Sequence, residues 1–139
     1  MHIASRTKSK CDSLIADIAK FSSIQVSSQE LDADNTLEVI KCIENFKPNL
    51  VMNLALPYQN LSIMDACLAC NVSYLDTANY EPRDKAEYAY HWQWAYHKKY
   101  RDSNIMALLG CGFDPGVTNV FCAYAMQYLF DEIETIDII

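Results

Sequence analysis

Short apolar runs alternate along the chain with stretches whose apolar residues recur at helical spacing, the order of successive βα units. Ile3 to Ser5 reads as the end of a strand, and Cys11, Leu14, Ile15, Ile18 and Ala19 then mark one face of a helix over Lys8–Lys20. Ile24–Val26 reads as the next strand. Asn35-Thr36-Leu37-Glu38 has the form of a capping box with Asn in place of Ser or Thr, and opens a helix to about Phe46 that Lys47-Pro48-Asn49 ends. Leu50–Leu54 is almost continuously apolar, as in a strand buried on both faces, and Pro57 stops its extension. A helix is predicted over Leu61–Cys70, a strand over Ser73–Asp76, and a long helix over Asp84–Arg101 crowded with Tyr88, Tyr90, Trp92, Trp94 and Tyr96. Met106–Leu109 reads as a strand, Pro115 to about Leu129 as a helix, and Ile133–Ile139 as a last apolar strand.

This alternation predicts an α/β fold with a doubly wound parallel sheet of Rossmann type, covered by helices. In such a sheet the first strand is central, and the turn after it carries the glycine-rich cradle for a pyrophosphate. No G-x-G-x-x-G is present, and the three glycines all lie between Gly110 and Gly116, far beyond the opening strand. Either the fold differs or the first strand is absent. The residues after the opening strand favour absence, and the strands on either side of the gap are then expected to lose their shared neighbour.

Composition narrows the function classes. At 139 residues and 51% hydrophobic content the chain suits one compact domain. A formal charge of −7 opposes a nucleic-acid or anionic-membrane partner and suits a cationic small molecule. No apolar run approaches the roughly 18 residues of a membrane span, and polar Ser5-Arg6-Thr7-Lys8 follows too soon after Met1 for a signal peptide, so a cytoplasmic protein is expected. The six cysteines, placed within amphipathic segments, read as small reduced hydrophobes. Cys67 and Cys70 form a C-x-x-C without the second pair that a zinc site needs, so helix packing is favoured over metal or redox chemistry.

Four places could carry chemistry. Ser5-Arg6-Thr7 sets a guanidinium between two hydroxyls at a strand end, as a 2′-phosphate requires, or else is a helix start with Thr7 as N-cap. Asp32-Ala33-Asp34-Asn35 lies where an adenine would rest, although helix capping accounts for it. Asn53-Leu54-Ala55-Leu56-Pro57 ends a strand beside the expected switch point, where a nicotinamide could pack. Asp114-Pro115 fits N-cap and N1 of a helix, flanked by glycines that let a ligand approach the backbone, and also fits a purely structural turn. The histidines read as surface residues, and the Tyr and Trp stripe as core or interface.

Taken together, Ala4-Ser5-Arg6-Thr7, Asn53 to Tyr58, Tyr74 to Arg83, His91 to Tyr96 and Gly110 to Asn119 resemble the saccharopine dehydrogenase-like family over essentially the whole chain. The resemblance implies a Rossmann-type domain present in part, its first strand and the substrate domain lacking. Residues 1–132 would be a partial NADP-binding domain that begins at its second strand, and 133–139 the start of a substrate and dimerisation domain. It implies NADPH as cofactor and a reductive amination in which aspartate β-semialdehyde condenses with 1,3-diaminopropane or putrescine. By matching positions, Ser5, Arg6 and Thr7 would hold the adenosine phosphate, Asp34 would lie by the adenine, and Leu56 and Pro57 would border the nicotinamide. Asp114 and Tyr80 would face the substrate, and the parent enzyme would be a homodimer. Saccharopine or homospermidine-type chemistry, or a non-catalytic interaction module built on the aromatic helix, are the alternatives. The isolated chain is expected to be poorly stable and inactive.

Overall fold

The computed structural model describes residues 1–137. Strands and helices alternate as the apolar pattern predicts, and every strand pairing is parallel. β1 (His2–Ser5), α1 (Lys8–Ile18), β2 (Ser27–Glu30) and α2 (Thr36–Phe46) lead to β3 (Leu50–Asn53) and a single 3₁₀ turn, Pro57–Gln59. α3 (Asn60–Ala69), β4 (Ser73–Asp76), two short helices, α4 (His91–Trp94) and α5 (His97–Asp102), β5 (Ala107–Leu108) and α6 (Val117–Tyr128) complete the order.

The strands form two sheets. β1 pairs with β2, from His2 opposite Ser27 to Ser5 opposite Glu30, and β3-β4-β5 form the other. Among the described residues no strand joins β1 to β3. Met1–Arg6 on one wall and Leu50–Leu56 on the other line a cleft of about 830 Å³ at this break.

The core lies wholly on one side of that cleft. Val39 and Ile43 of α2 pack with Ile63, Met64, Ala66 and Cys67 of α3, Tyr74 of β4 and Tyr100 of α5. Tyr100 donates its hydroxyl to the Met64 carbonyl at 2.8 Å, so its polar tip is satisfied inside the core. α1 buries only Cys11. Elsewhere large apolar side chains stay open to solvent: Met52 and Leu54 in the cleft, and Val120, Phe121 and Tyr124 along α6, which buries none of its residues.

Local chemistry explains where elements begin. The Asn35 side chain accepts from the Leu37 and Glu38 amides at 3.2 and 3.4 Å, and Glu38 reaches back to the Asn35 amide nitrogen and the Asp32 N–H. Asn35 thus caps α2 as expected, but the box is not closed in the usual way, since Glu38 meets the Asn35 side chain while the Asn35 backbone N–H donates to the Asp32 carbonyl. Cys67 is in the core with its thiol pushed up to about 12 by burial, in keeping with packing as the role of the C-x-x-C helix.

Four expectations change. The second strand is Ser27–Glu30, not Ile24–Val26, because its register is set by backbone pairing with β1, reinforced by His2 Nδ1 and Ser27 Oγ at 2.8 Å. The long aromatic helix is two short ones: buried Gln93 bonds inward at α4, while Lys85–Tyr90 runs without helix. α6 starts at Val117 after Gly116, since the Gly112 N–H bonds to the Pro115 carbonyl and closes a turn that holds Asp114 and Pro115 outside the helix. Residues 133–137 form no strand, and Ile138 and Ile139 lie outside the described residues.

Replacing Asn35 by Ala removes the acceptor for two helix-end amides and should cost about 1 kcal/mol, read as a lower urea midpoint with an unchanged slope.

Candidate functional site

β3 and β4 both finish on a polar residue, Asn53 and Asp76, and both side chains are buried. At the end of an apolar strand such a group must find partners inside the protein. The Asp76 carboxylate accepts from the Gly110 N–H at 2.7 Å, Gln93 Nε2 at 2.6 Å and the Tyr74 hydroxyl at 2.9 Å, with Asn60 Nδ2 at 3.4 Å. Asn53 Nδ2 donates in turn to Asn60 Oδ1 at 2.9 Å and to the Tyr74 oxygen at 3.0 Å. Every group turned toward Asp76 is a donor, the environment of an ionised carboxylate. Burial raises its pKa above the ordinary carboxylate value, and the Gly110, Tyr74 and Gln93 bonds pull against that rise. Burial, and then the Asp76 charge, push the Tyr74 hydroxyl upward, so it stays a donor.

This network holds two loops. Gln93 Oε1 accepts from the Tyr80 N–H at 2.8 Å, and the Asp76 carbonyl accepts from the Cys111 N–H at 2.8 Å. Asp76 therefore ties the segment after β4 to the glycine loop after β5. In that loop a Cβ on Gly112 would lie 2.2 Å from the Thr77 carbonyl oxygen. Gly116 sits at φ 138°, with its absent Cβ directed at the Gly112 backbone. The glycine cluster thus permits close backbone packing against the loop after β4.

The predicted site residues fall into two groups. Ser5, Arg6 and Leu56 line the cleft between β1 and β3, together with Leu54 and Gln59. Ser5 Oγ accepts from the Thr7 N–H at 3.3 Å, and Thr7 stands at the start of α1 without a capping bond from its own side chain. Arg6 forms no ion pair among the described residues. Pro57 opens the 3₁₀ turn as its first residue. Asp34 pairs with Arg83 at 2.6 Å, and that guanidinium lies 3.8 Å over the Tyr58 ring. A clasp of Asp34, Arg83 and Tyr58 therefore brings the loop after β2 to the turn after β3. Asp114 and Tyr80 stand apart from the cleft lining. Asp114 is exposed and accepts from Thr118 Oγ1 at 3.0 Å, while Tyr80 packs edge-on to Trp92 with centroids 5.5 Å apart.

The sequence reading singled out neither Asp76, Asn60 and Gln93 as a network nor Gln59 as a cleft residue. The available signal was a polar residue closing each of two apolar runs, which is expensive unless the group is bonded inside.

The family model for the saccharopine dehydrogenase NADP binding domain matches residues 1–108. The chain belongs to this family. A carboxyaminopropylagmatine dehydrogenase of Synechocystis sp. is 53% identical over 137 residues, covering 99% of this chain and 34% of the relative. Carboxynorspermidine synthases of Vibrio alginolyticus and Vibrio cholerae are each 42% identical, covering 98% and 99% of this chain and 35% of each relative. The chain thus spans about a third of the length of these relatives. Apo saccharopine dehydrogenase (L-Glu forming) of Saccharomyces cerevisiae shares the fold, with a TM-score of 0.70 at 12% identity over 91% of this chain and 24% of the yeast chain. The likeness establishes the Rossmann-type α/β class that the strand pattern predicts. Among the described residues no helix is long and apolar enough to cross a membrane.

NADP, the cofactor of the family's domain, fits the residues present in part. The unpaired Arg6 beside Ser5 Oγ suits a phosphate, and Leu54 and Leu56 give an apolar wall for a ring. The glycine turn that a pyrophosphate needs is not at the cleft, because all three glycines are in the loop after β5.

Asp76→Asn turns a donor toward the donors around it and should cost about 2 kcal/mol in urea unfolding. Because the folded-state pKa is raised, this group's share of stability is whole below the ordinary carboxylate range and is lost as pH climbs through the raised value. Unfolding followed from acid to neutral pH should show that slope in the parent chain and lose it in the Asn variant.

Proposed function

We propose that the chain is the cofactor-binding part of an NADPH-dependent oxidoreductase of polyamine biosynthesis, which reduces the imine formed from aspartate β-semialdehyde and an amine. The observation that carries this is identity of 53% and 42% to enzymes named for such products, over 98% or more of the chain. When bound, NADPH supplies the hydride. Ser5, Arg6 and Thr7 hold its adenosine 2′-phosphate, with the Arg6 guanidinium as the charged partner. Asp34 lies by the adenine, positioned by its bond to Arg83. Leu56 and Pro57 border the nicotinamide and keep water from that face.

Asp114, exposed on its loop, faces the amine end of the substrate, and its carboxylate stabilises the protonated imine nitrogen that makes the carbon a hydride acceptor. Tyr80 lines the same side. The net charge of −7 favours approach of a cationic amine.

The amine is 1,3-diaminopropane or putrescine on the strength of the two synthases. A second reading, agmatine, is favoured by the relative at 53% identity, whose name describes an agmatine carrying a carboxyaminopropyl group. NADPH oxidation by the protein that carries this chain, with aspartate β-semialdehyde and each of the three amines, tests the proposal. Turnover is expected with one of them, and no oxidation with any would overturn it. Arg6→Ala should raise the KM for NADPH about tenfold or more, while kinetics with NADH stay unchanged.

A further inference from the structure

Three loops at the rim of the cleft meet on one planar cation. Ala33 and Gln59 line the cleft, and their neighbours in the chain, Asp34 and Tyr58, both hold Arg83. Asp34 follows β2, Tyr58 follows β3 and Arg83 follows β4, so the clasp stands at the C-terminal ends of the strands. In an open α/β sheet that is the end at which ligands bind.

The two contacts use different parts of the guanidinium. Asp34 Oδ2 accepts from Nη2 at 2.6 Å, at the edge of the group, whereas the Tyr58 ring lies 3.8 Å from Cζ, against one face. The side chain keeps 56% of its surface open to solvent, and no second ring covers it among the described residues. An ion pair this exposed adds little to folding stability, but it fixes the rotamers of a long side chain. What remains is a flat cation, backed by a tyrosine and held in one orientation beside the cleft.

We propose that the free face of the Arg83 guanidinium is the stacking platform for the adenine ring of the cofactor. This rests on the reading of the cleft as an NADPH site and adds a residue that recognises the base. Two kinds of ligand suit a guanidinium, a phosphate at its edge and a π system on its face. The Asp34 carboxylate favours the second. It already takes an edge donor, and its charge repels a phosphate drawn to the same edge, whereas a neutral ring on the face meets no such repulsion. Arg6 then reads the phosphate and Arg83 the base, and only the second is indifferent to whether the cofactor carries a 2′-phosphate.

The test measures dissociation constants, from the fluorescence of the reduced nicotinamide, for the protein that carries this chain. Arg83→Ala should weaken NADPH and NADH by the same factor, about tenfold, the effect of losing one stacking partner of a base. Arg83→Lys keeps a charge beside Asp34 but has no flat face, so it should lose as much. Reduced nicotinamide mononucleotide, which has no adenine, should bind the unaltered protein and both variants alike. A loss confined to NADPH would assign Arg83 to the phosphate, and recovery with lysine would assign it to the ion pair alone. A loss shared by the mononucleotide would make the clasp a support for the loops. Each of these overturns the proposal, as does unchanged binding of NADPH and NADH in both variants. Failure of the unaltered protein to bind NADPH would instead bring down the cofactor reading itself, and this inference with it.

Discussion

The Asp76 carboxylate gathers the Tyr74 hydroxyl, the Gln93 amide and the Gly110 N–H at one point inside the protein. A buried charge persists only where its lone pairs are met by donors, so each of these groups is constrained by the others. Through them the end of β4, the start of α4 and the loop after β5 become one rigid unit, and Asn60 and Asn53 extend it to α3 and the end of β3. The C-terminal ends of the strands, where open α/β sheets bind ligands, are therefore built by polar bonds on an apolar core.

The two sides of the sheet are not equally supported. All eight residues of the main core cluster come from α2, α3, β4 and α5, whereas α1 buries only Cys11. The unit of β1, α1 and β2 carries Ser5 and Arg6, the residues we propose for the cofactor phosphate, and stands across an open cleft from β3. If the proposed roles of Ser5 and Arg6 hold, phosphate recognition depends on how firmly that unit is held against the other sheet. Met52 and Leu54 stay open to solvent on the β3 side of the cleft.

Much of the fold was legible because helical spacing reports burial directly, as in α2, and an apolar run marks a strand, as in β3. Leu50 and Met52 are nevertheless exposed there, not buried on both faces as expected. β2 was placed three residues too early: Ile24, apolar but 62% exposed, drew the strand toward itself, whereas Ser27–Glu30 pairs through backbone bonds that no side-chain pattern records. The aromatic stretch carries Tyr88, Tyr90, Trp92, Trp94 and Tyr96 at every second position, a spacing that does not separate one long helix from the two short ones at His91–Trp94 and His97–Asp102. The Asp76 network was not legible, since its members are distant in sequence and a polar residue at a strand end also suits a solvated turn.

Amide hydrogen exchange at Gly110 and Cys111 tests most directly whether Asp76 holds the loop to the core. Both donate to Asp76, one to its carboxylate and one to its carbonyl, so their protection should match that of the β4 amides at Tyr74 and Leu75. Exchange at the rate of the exposed residues around Asp114, with β4 still protected, would contradict the account.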